Sequence, residues 1–228
     1  MSLRSTPATR MGLSIALATG LYGISFGALS IAAGLNLWQT IALSALMFTG
    51  ASQFAFVGVL ASTGGGTALA AALLLGLRNG LYGVQINQLL RPSGWHRAMM
   101  AQLTIDESMA TSTSQVDPDE QSTGFWTAGV GVWVMWNLFT IVGALAGQVI
   151  GEPRAWGLDG AAIAAFVGLL WPRLVNRDAW AVAVLCGLAS ALVTPFLPGG
   201  IPILVAAVVA GLIGWTQHRR NGSERHPA

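Results

Sequence analysis

The sequence predicts an all-α, polytopic integral membrane protein: a bundle of about seven transmembrane helices, at least one of them broken or re-entrant. Three observations carry that prediction. Of the 228 residues, 54% are hydrophobic and only 9% charged, with a mean hydropathy of +0.62, whereas soluble domains run near about 25% charged. Several uncharged stretches reach the roughly 20 residues that a helix needs to cross the hydrocarbon core. Twenty-nine Gly and nine Trp suit close-packed membrane helices with interfacial aromatic belts.

The same composition argues against other classes. All eleven basic residues are Arg, and the net charge is only +2, a surplus too small for a nucleic-acid footprint. A lone cysteine, Cys186, leaves no internal disulfide and no cysteine metal cluster. The three His, at 96, 218 and 226, fall in loop or tail without metal-ligand spacing. No P-loop or GxSxG motif occurs, so the chain is expected to be neither an ATPase nor a serine hydrolase. No enzyme activity and no cofactor are expected.

The spans follow in order. Uncharged runs cover residues 11–33, 40–61, 124–150 and 179–197; a fifth, 68–90, is long enough but carries Arg78 near its middle. Two shorter runs, 160–172 and 201–216, complete the count of seven. The first run is longer than the 7–15 apolar residues usual in a signal peptide, and is expected to remain as a span. Residues 91–123 form the one long polar connector, with room for a half-helix and five of the nine acidic residues. They divide a single membrane domain into a helical block at 11–90 and another at 124–217, followed by a basic tail at 218–228. Trp95, Trp126, Trp156 and Trp171 fall near predicted span ends, as an aromatic belt requires.

Arginine placement orients the chain. Seven spans place Arg91, Arg97, Arg173, Arg177, Arg219, Arg220 and Arg225 on one side, and Arg4, Arg10 and Arg154 on the other. That asymmetry puts the C-terminus in the cytoplasm. Arg4 and Arg10 argue the same for the N-terminus, which a broken or re-entrant N-terminal segment would allow.

Polar groups inside apolar stretches mark the candidate site. Arg78 lies about ten residues from either end of its run, roughly 15 Å at 1.5 Å per residue, too deep for its side chain to reach water. Intramembrane charge calls for a partner or a wet cavity. Arg78 therefore either receives a substrate carboxylate or gating counter-ion, or pairs structurally with another helix. Asn79 and Tyr82 add hydrogen-bonding groups beside it, and Gly76 with Gly80 forms a small-xxx-small pair suited to close backbone approach.

A second interruption is Gly50-Ala51-Ser52-Gln53-Phe54. Its small residues allow a helix break that would expose backbone groups to a ligand at mid-membrane; the alternative is a single interhelical hydrogen bond from Gln53. The third is Asp106-Glu107. If 99–110 is one helix, Met99, Leu103, Glu107 and Ala110 share a face, and a carboxylate there either pairs with Arg78 and couples or gates transport, or is solvated at the interface. Asp117 to Glu120 reads as ordinary solvated loop. Gly23 with Gly27 and Gly143 with Gly147 read as GxxxG packing pairs.

These motifs together resemble the AzlC (YgaZ) family. Ser44-Ala45-Leu46-Met47-Phe48-Thr49-Gly50-Ala51-Ser52-Gln53-Phe54 is similar to that family's S-x-x-x-F-A-G-A-x-Q-F segment. Leu77-Arg78-Asn79-Gly80-Leu81-Tyr82-Gly83 is similar to its L-R-H-x-L-Y-G, and Leu103 to Ala110 to its L-T-D-E-x-x-A. Further matches run through Leu158-Asp159-Gly160, Phe166 and Pro172 to Leu197-Pro198-Gly199-Gly200. Asn79 stands where the family usually has His, Gly76 where Asn is common, and the Pro often found near Phe26 is missing. The resemblance implies the large subunit of a branched-chain amino acid exporter in a prokaryotic cytoplasmic membrane, partnered by a small membrane subunit of the AzlD type.

The expected function is thus secondary export of a small apolar amino acid. Arg78 takes the carboxylate, and Gln53, Ser52, Asn79 and Tyr82 supply polar contacts. Phe54 lines a side-chain pocket, and Asp106 or Glu107 serves ion coupling or gating. A passive small-solute channel and a non-transporting assembly subunit are the rival expectations.

Overall fold

The computed structural model describes residues 6–150, 167, 170–171, 174–197 and 201–223, and within them the regular structure is helical throughout. The helices are α1 (Pro7–Ala32), α2 (Leu37–Leu46), α3 (Ala51–Thr63), α4 (Gly65–Leu90), α5 (Trp95–Leu103), α6 (Asp106–Thr113), α7 (Pro118–Ile150), α8 (Arg177–Val193) and α9 (Ile201–Ser223). Three of them, α1, α4 and α7, are long and apolar enough to cross a membrane. Most of the predicted run at 160–172, together with Trp156, Leu158 to Gly160, Pro198 to Gly200 and Arg4, Arg154, Arg173 and Arg225, lies outside the described residues.

Local chemistry sets the helix starts. Thr6 caps α1, accepting from the Thr9 amide, with Pro7 in the first turn where its missing N–H costs nothing. Asn36 and Gln39 cap α2 reciprocally, each side chain accepting from the other's backbone amide at 2.9 Å. Asn176 caps α8 through the Ala179 amide.

Asp117, Pro118 and Asp119 are exposed, as a solvated segment requires, but the expected loop is corrected: the helix begins at Pro118. Asp117 Oδ1 accepts from the amides of Asp119 and Glu120, so it caps the start of α7. Glu120 accepts from the Ala8 amide and joins the starts of α1 and α7. Acidic side chains at a helix N-terminus are favoured by the dipole, which is why this acidic run begins a helix.

The most extensive helix pair is α1 with α7, and glycine makes it possible. A Cβ on Gly27 would overlap the Thr140 carbonyl, and one on Gly143 would overlap the Ile24 carbonyl. A Cβ on Gly23 would lie 2.7 Å from Trp136 O, and one on Gly147 3.1 Å from Ala28 Cα. The two predicted GxxxG pairs thus pack against each other's helices. Gly76 and Gly80 do not behave this way. Nothing stands within 4 Å of a Cβ at Gly80, and only Ser52 Oγ, at 3.6 Å, approaches one at Gly76. The expected close backbone approach is absent there because α4 turns that face outward, with Leu77 and Leu81 exposed.

Two interruptions shape the bundle. The apolar run at 40–61 breaks between α2 and α3, with Gly50 at φ +56°, ψ −83°, in the positive-φ region that glycine enters without a Cβ penalty. The predicted broken helix is observed there. The connector breaks again at Thr104–Ile105, where both residues turn extended. That second break removes the expected continuous face: Leu103 and Glu107 lie on different helices, and Ala110 is exposed while Ser108 and Met109 are buried.

Candidate functional site

Each break is pinned by side chains from neighbouring helices. The terminal carbonyls of α2 are taken by three of them. Gln53 Nε2 donates to Leu43 O and Ser44 O at 3.1 and 3.2 Å, Gln102 Nε2 to Ala45 O and Leu46 O, and Trp133 Nε1 to Ala45 O. Gln53 is fully buried, so its amide group is a C-cap for α2 in a place that water does not reach. We expect Gln53→Leu to lower stability by about 1–3 kcal/mol, the cost of stranding buried acceptors. The measure is the thermal midpoint in detergent; an unchanged midpoint would show that the cap is dispensable.

The start of α3 is treated differently. Gly50 has no side-chain cap to offer, and none reaches the first-turn amides. Residues 51–55 are buried. Thr49 Oγ1 and Ser52 Oγ are buried there with no hydrogen-bond partner.

At the second break, the Ser108 hydroxyl accepts from the Ile105 amide and donates to Leu103 O at 2.7 Å. Thr104 Oγ1 donates back to Met100 O at 2.6 Å. From α4, two consecutive residues grip this break. Arg78 Nη1 pairs with Asp106 Oδ2 at 2.8 Å, and Asn79 Nδ2 donates to Thr104 O at 3.2 Å. Asp106 and Glu107 occupy the first turn of α6, where the helix dipole favours their negative charge.

The two breaks and Arg78 enclose one cavity. Phe48, Thr49 and Gly50 line it from the first break, and Ile105, Asp106 and Glu107 from the second. Tyr22 of α1 and Val132 and Trp136 of α7 close the remaining sides. Its free volume is about 30 Å³, room for about two water molecules. Behind the α4 clasp lies a second, larger groove of about 490 Å³, lined by Asn79, Asn87, Arg97 and Thr104 among others. Arg78 faces the small cavity and Asn79 the groove, so the clasp is the wall between them.

The aromatic side of the cavity is rigid. Phe26, Phe54 and Trp136 stack edge-to-face and face-to-face with centroids 5.7 to 6.1 Å apart, a geometry that adds to the burial energy of each ring.

Among the sequence-predicted residues, Arg78, Phe54, Asp106 and Glu107 line the cavity. Gln53 and Ser52 lie behind it in the first turn of α3, and Asn79 belongs to the clasp. Tyr82 packs against the hydrophobic core, away from the lining. Sequence reasoning missed Thr49, Tyr22 and Trp136. For Trp136 a signal was present: it lies in the middle of the run at 124–150, where an aromatic belt does not explain it.

A model of the AzlC protein family matches residues 14–150, more than half of the chain and every residue that lines the cavity. The chain belongs to the AzlC family. Neither curated proteins nor solved structures give a match. Membership and the long apolar helices together make this AzlC protein a multi-pass membrane protein, in a family associated with branched-chain amino acid transport.

Proposed function

We propose that this AzlC protein is the large subunit of a secondary exporter of small apolar amino acids, chiefly leucine, valine and isoleucine. It works in a prokaryotic cytoplasmic membrane with its C-terminus inside, beside a small subunit of the AzlD type, and catalyses no covalent chemistry. The observation that supports this most is the Arg78–Asp106 ion pair lining a cavity at the meeting of two helix breaks. Intramembrane charges that face a cavity are the usual mark of a transport pathway, and paired half-helices are the usual construction of a transporter site.

The chemistry follows from the donors and acceptors present. Arg78 spends Nη1 on Asp106, and its Nε is buried without a partner. A substrate carboxylate entering the cavity competes with Asp106 for the guanidinium, which can receive it through parallel N–H donors. Asp106 and Glu107 line the same space and suit the substrate ammonium or a coupling cation. A branched-chain amino acid is several times larger than the 30 Å³ now free, so binding requires the walls to part. The Arg78–Asp106 and Asn79–Thr104 links are the contacts that must open toward the larger groove. A small cavity walled by such a clasp favours alternating closure over a standing pore.

Counterflow of labelled leucine, valine, methionine and alanine in vesicles, with and without a co-expressed small subunit, tests the reading. Exchange of leucine and valine above alanine is the expected result. Free equilibration of all four without saturation would instead make the protein a channel.

A further inference from the structure

We propose that Trp136 and Thr49, with the uncapped first turn of α3, form the seat for the substrate's carboxylate beside Arg78. This rests on the amino-acid export reading above and deepens it.

Trp136 carries the argument. The residue is 4% exposed, it lines the cavity, and its indole Nε1 has no hydrogen-bond partner. Three residues earlier on α7, Trp133 satisfies its own indole by donating to Ala45 O. Buried indole nitrogens usually find an acceptor, so an unmatched one on a cavity-lining residue marks the place of an acceptor that arrives as the walls part. Thr49 lines the same cavity, and its buried Oγ1 is likewise unpartnered. Beside it are the first-turn amides of α3, to which no side chain offers a cap. Arg78 Nε is the fourth unmatched donor.

The chemistry of that set is one-sided. An indole N–H, a guanidinium N–H and helix N-terminal amides can only donate, and a threonine hydroxyl can donate. Donors on residues that line one cavity beside the positive end of a helix favour an anionic acceptor. A carboxylate presents two oxygens and about four acceptor sites, enough to meet the indole, the hydroxyl and the guanidinium together. The Phe26–Phe54–Trp136 ring contacts hold the indole in place before the substrate arrives.

The test is leucine counterflow in proteoliposomes of the full chain with its small subunit, with unlabelled leucine or leucinamide as competitor. Leucinamide keeps the side chain and ammonium and replaces the carboxylate. Trp136→Phe preserves the ring packing and removes the N–H. It is expected to raise half-saturating leucine about tenfold or more, the usual effect of losing a hydrogen bond to a charged group. The advantage of leucine over leucinamide should shrink by the same factor. Thr49→Val, which removes only the hydroxyl, is expected to act in the same direction by several-fold. A role confined to packing would weaken both competitors equally, so an unchanged leucine-to-leucinamide ratio overturns the proposal. Should Trp136→Phe fail to insert, the ratio in Thr49→Val decides. If the wild-type protein exchanges no amino acid at all, the export reading fails first and this seat falls with it.

Discussion

Arg78→Ala is expected to stop amino-acid exchange, lowering the counterflow rate by about 100-fold or more, while the protein still inserts. The reason is that Arg78 is the one cation lining the cavity among the described residues, and no neighbouring side chain can supply a planar fork of donors to a carboxylate. Stability falls as well. The pair is partly open, with the side chains 31% and 17% exposed, so its loss should cost about 1–3 kcal/mol, between the surface and fully buried limits. Combining Arg78→Ala with Asp106→Asn separates the two effects, because it removes the carboxylate charge that Arg78 balanced without restoring the donor. Thermal midpoints in detergent should recover in the double variant, and counterflow should not. Recovery of both would make the ion pair a structural strut and nothing more.

A comparable loss, this time of the fold, is expected at the α1–α7 interface. A methyl group on Gly143 would overlap the Ile24 carbonyl, and one on Gly27 the Thr140 carbonyl. The obstacle in each case is backbone, which cannot rotate aside, so the helices must separate. Gly143→Ala and Gly27→Ala should each cost about 1–3 kcal/mol, the usual range for overpacking, and Val at either position more. Gly80→Ala is the contrast. Open space surrounds that position, and replacing a mid-helix Gly with Ala favours the helix by up to about 1 kcal/mol. Thermal midpoints of the three alanine variants decide the matter. If Gly80→Ala proved the most damaging, α4 rather than α1 would carry the close helix contact.

Both predictions concern residues that stood out in the sequence, though for different reasons. Arg78 was legible because charge in an apolar run has a solvation cost that does not depend on which helix lies nearby. The break at Gly50 was legible because glycine and small residues in mid-span remove the local reason for a helix to continue. The partner of Arg78 was one of two open choices, Asp106 or Glu107. Adjacent residues on a helix point some 100° apart, and only the start of α6 at Asp106 decides which one faces α4.

Other readings needed neighbours that the sequence does not name. Gln53 had two readings, a ligand contact or an interhelical hydrogen bond, and its amide nitrogen makes the second, to the end of α2. Gly76 and Gly80 had the same spacing as Gly23 and Gly27, yet only the latter pair meets another backbone. A small-xxx-small pattern states that a close approach is allowed; it does not state that a helix comes. The 99–110 face failed for a related reason, since the break at Thr104–Ile105 is held by Ser108, Asn79 and the backbone together.

By itself, then, the sequence determined the class of molecule, the site of the first helix break and the one deeply placed cation, because each follows from transfer of polar or apolar groups between water and lipid. Transfer energies are properties of single residues and short runs, so they can be read along a chain. What the tertiary structure decided was pairing: Asp106 with Arg78, Gln53 with the end of α2, α1 against α7, and the indole of cavity-lining Trp136 with no partner. Hydrogen bonds and close packing depend on distances of a few ångströms between residues up to about a hundred positions apart. Those distances exist only once the helices have come together.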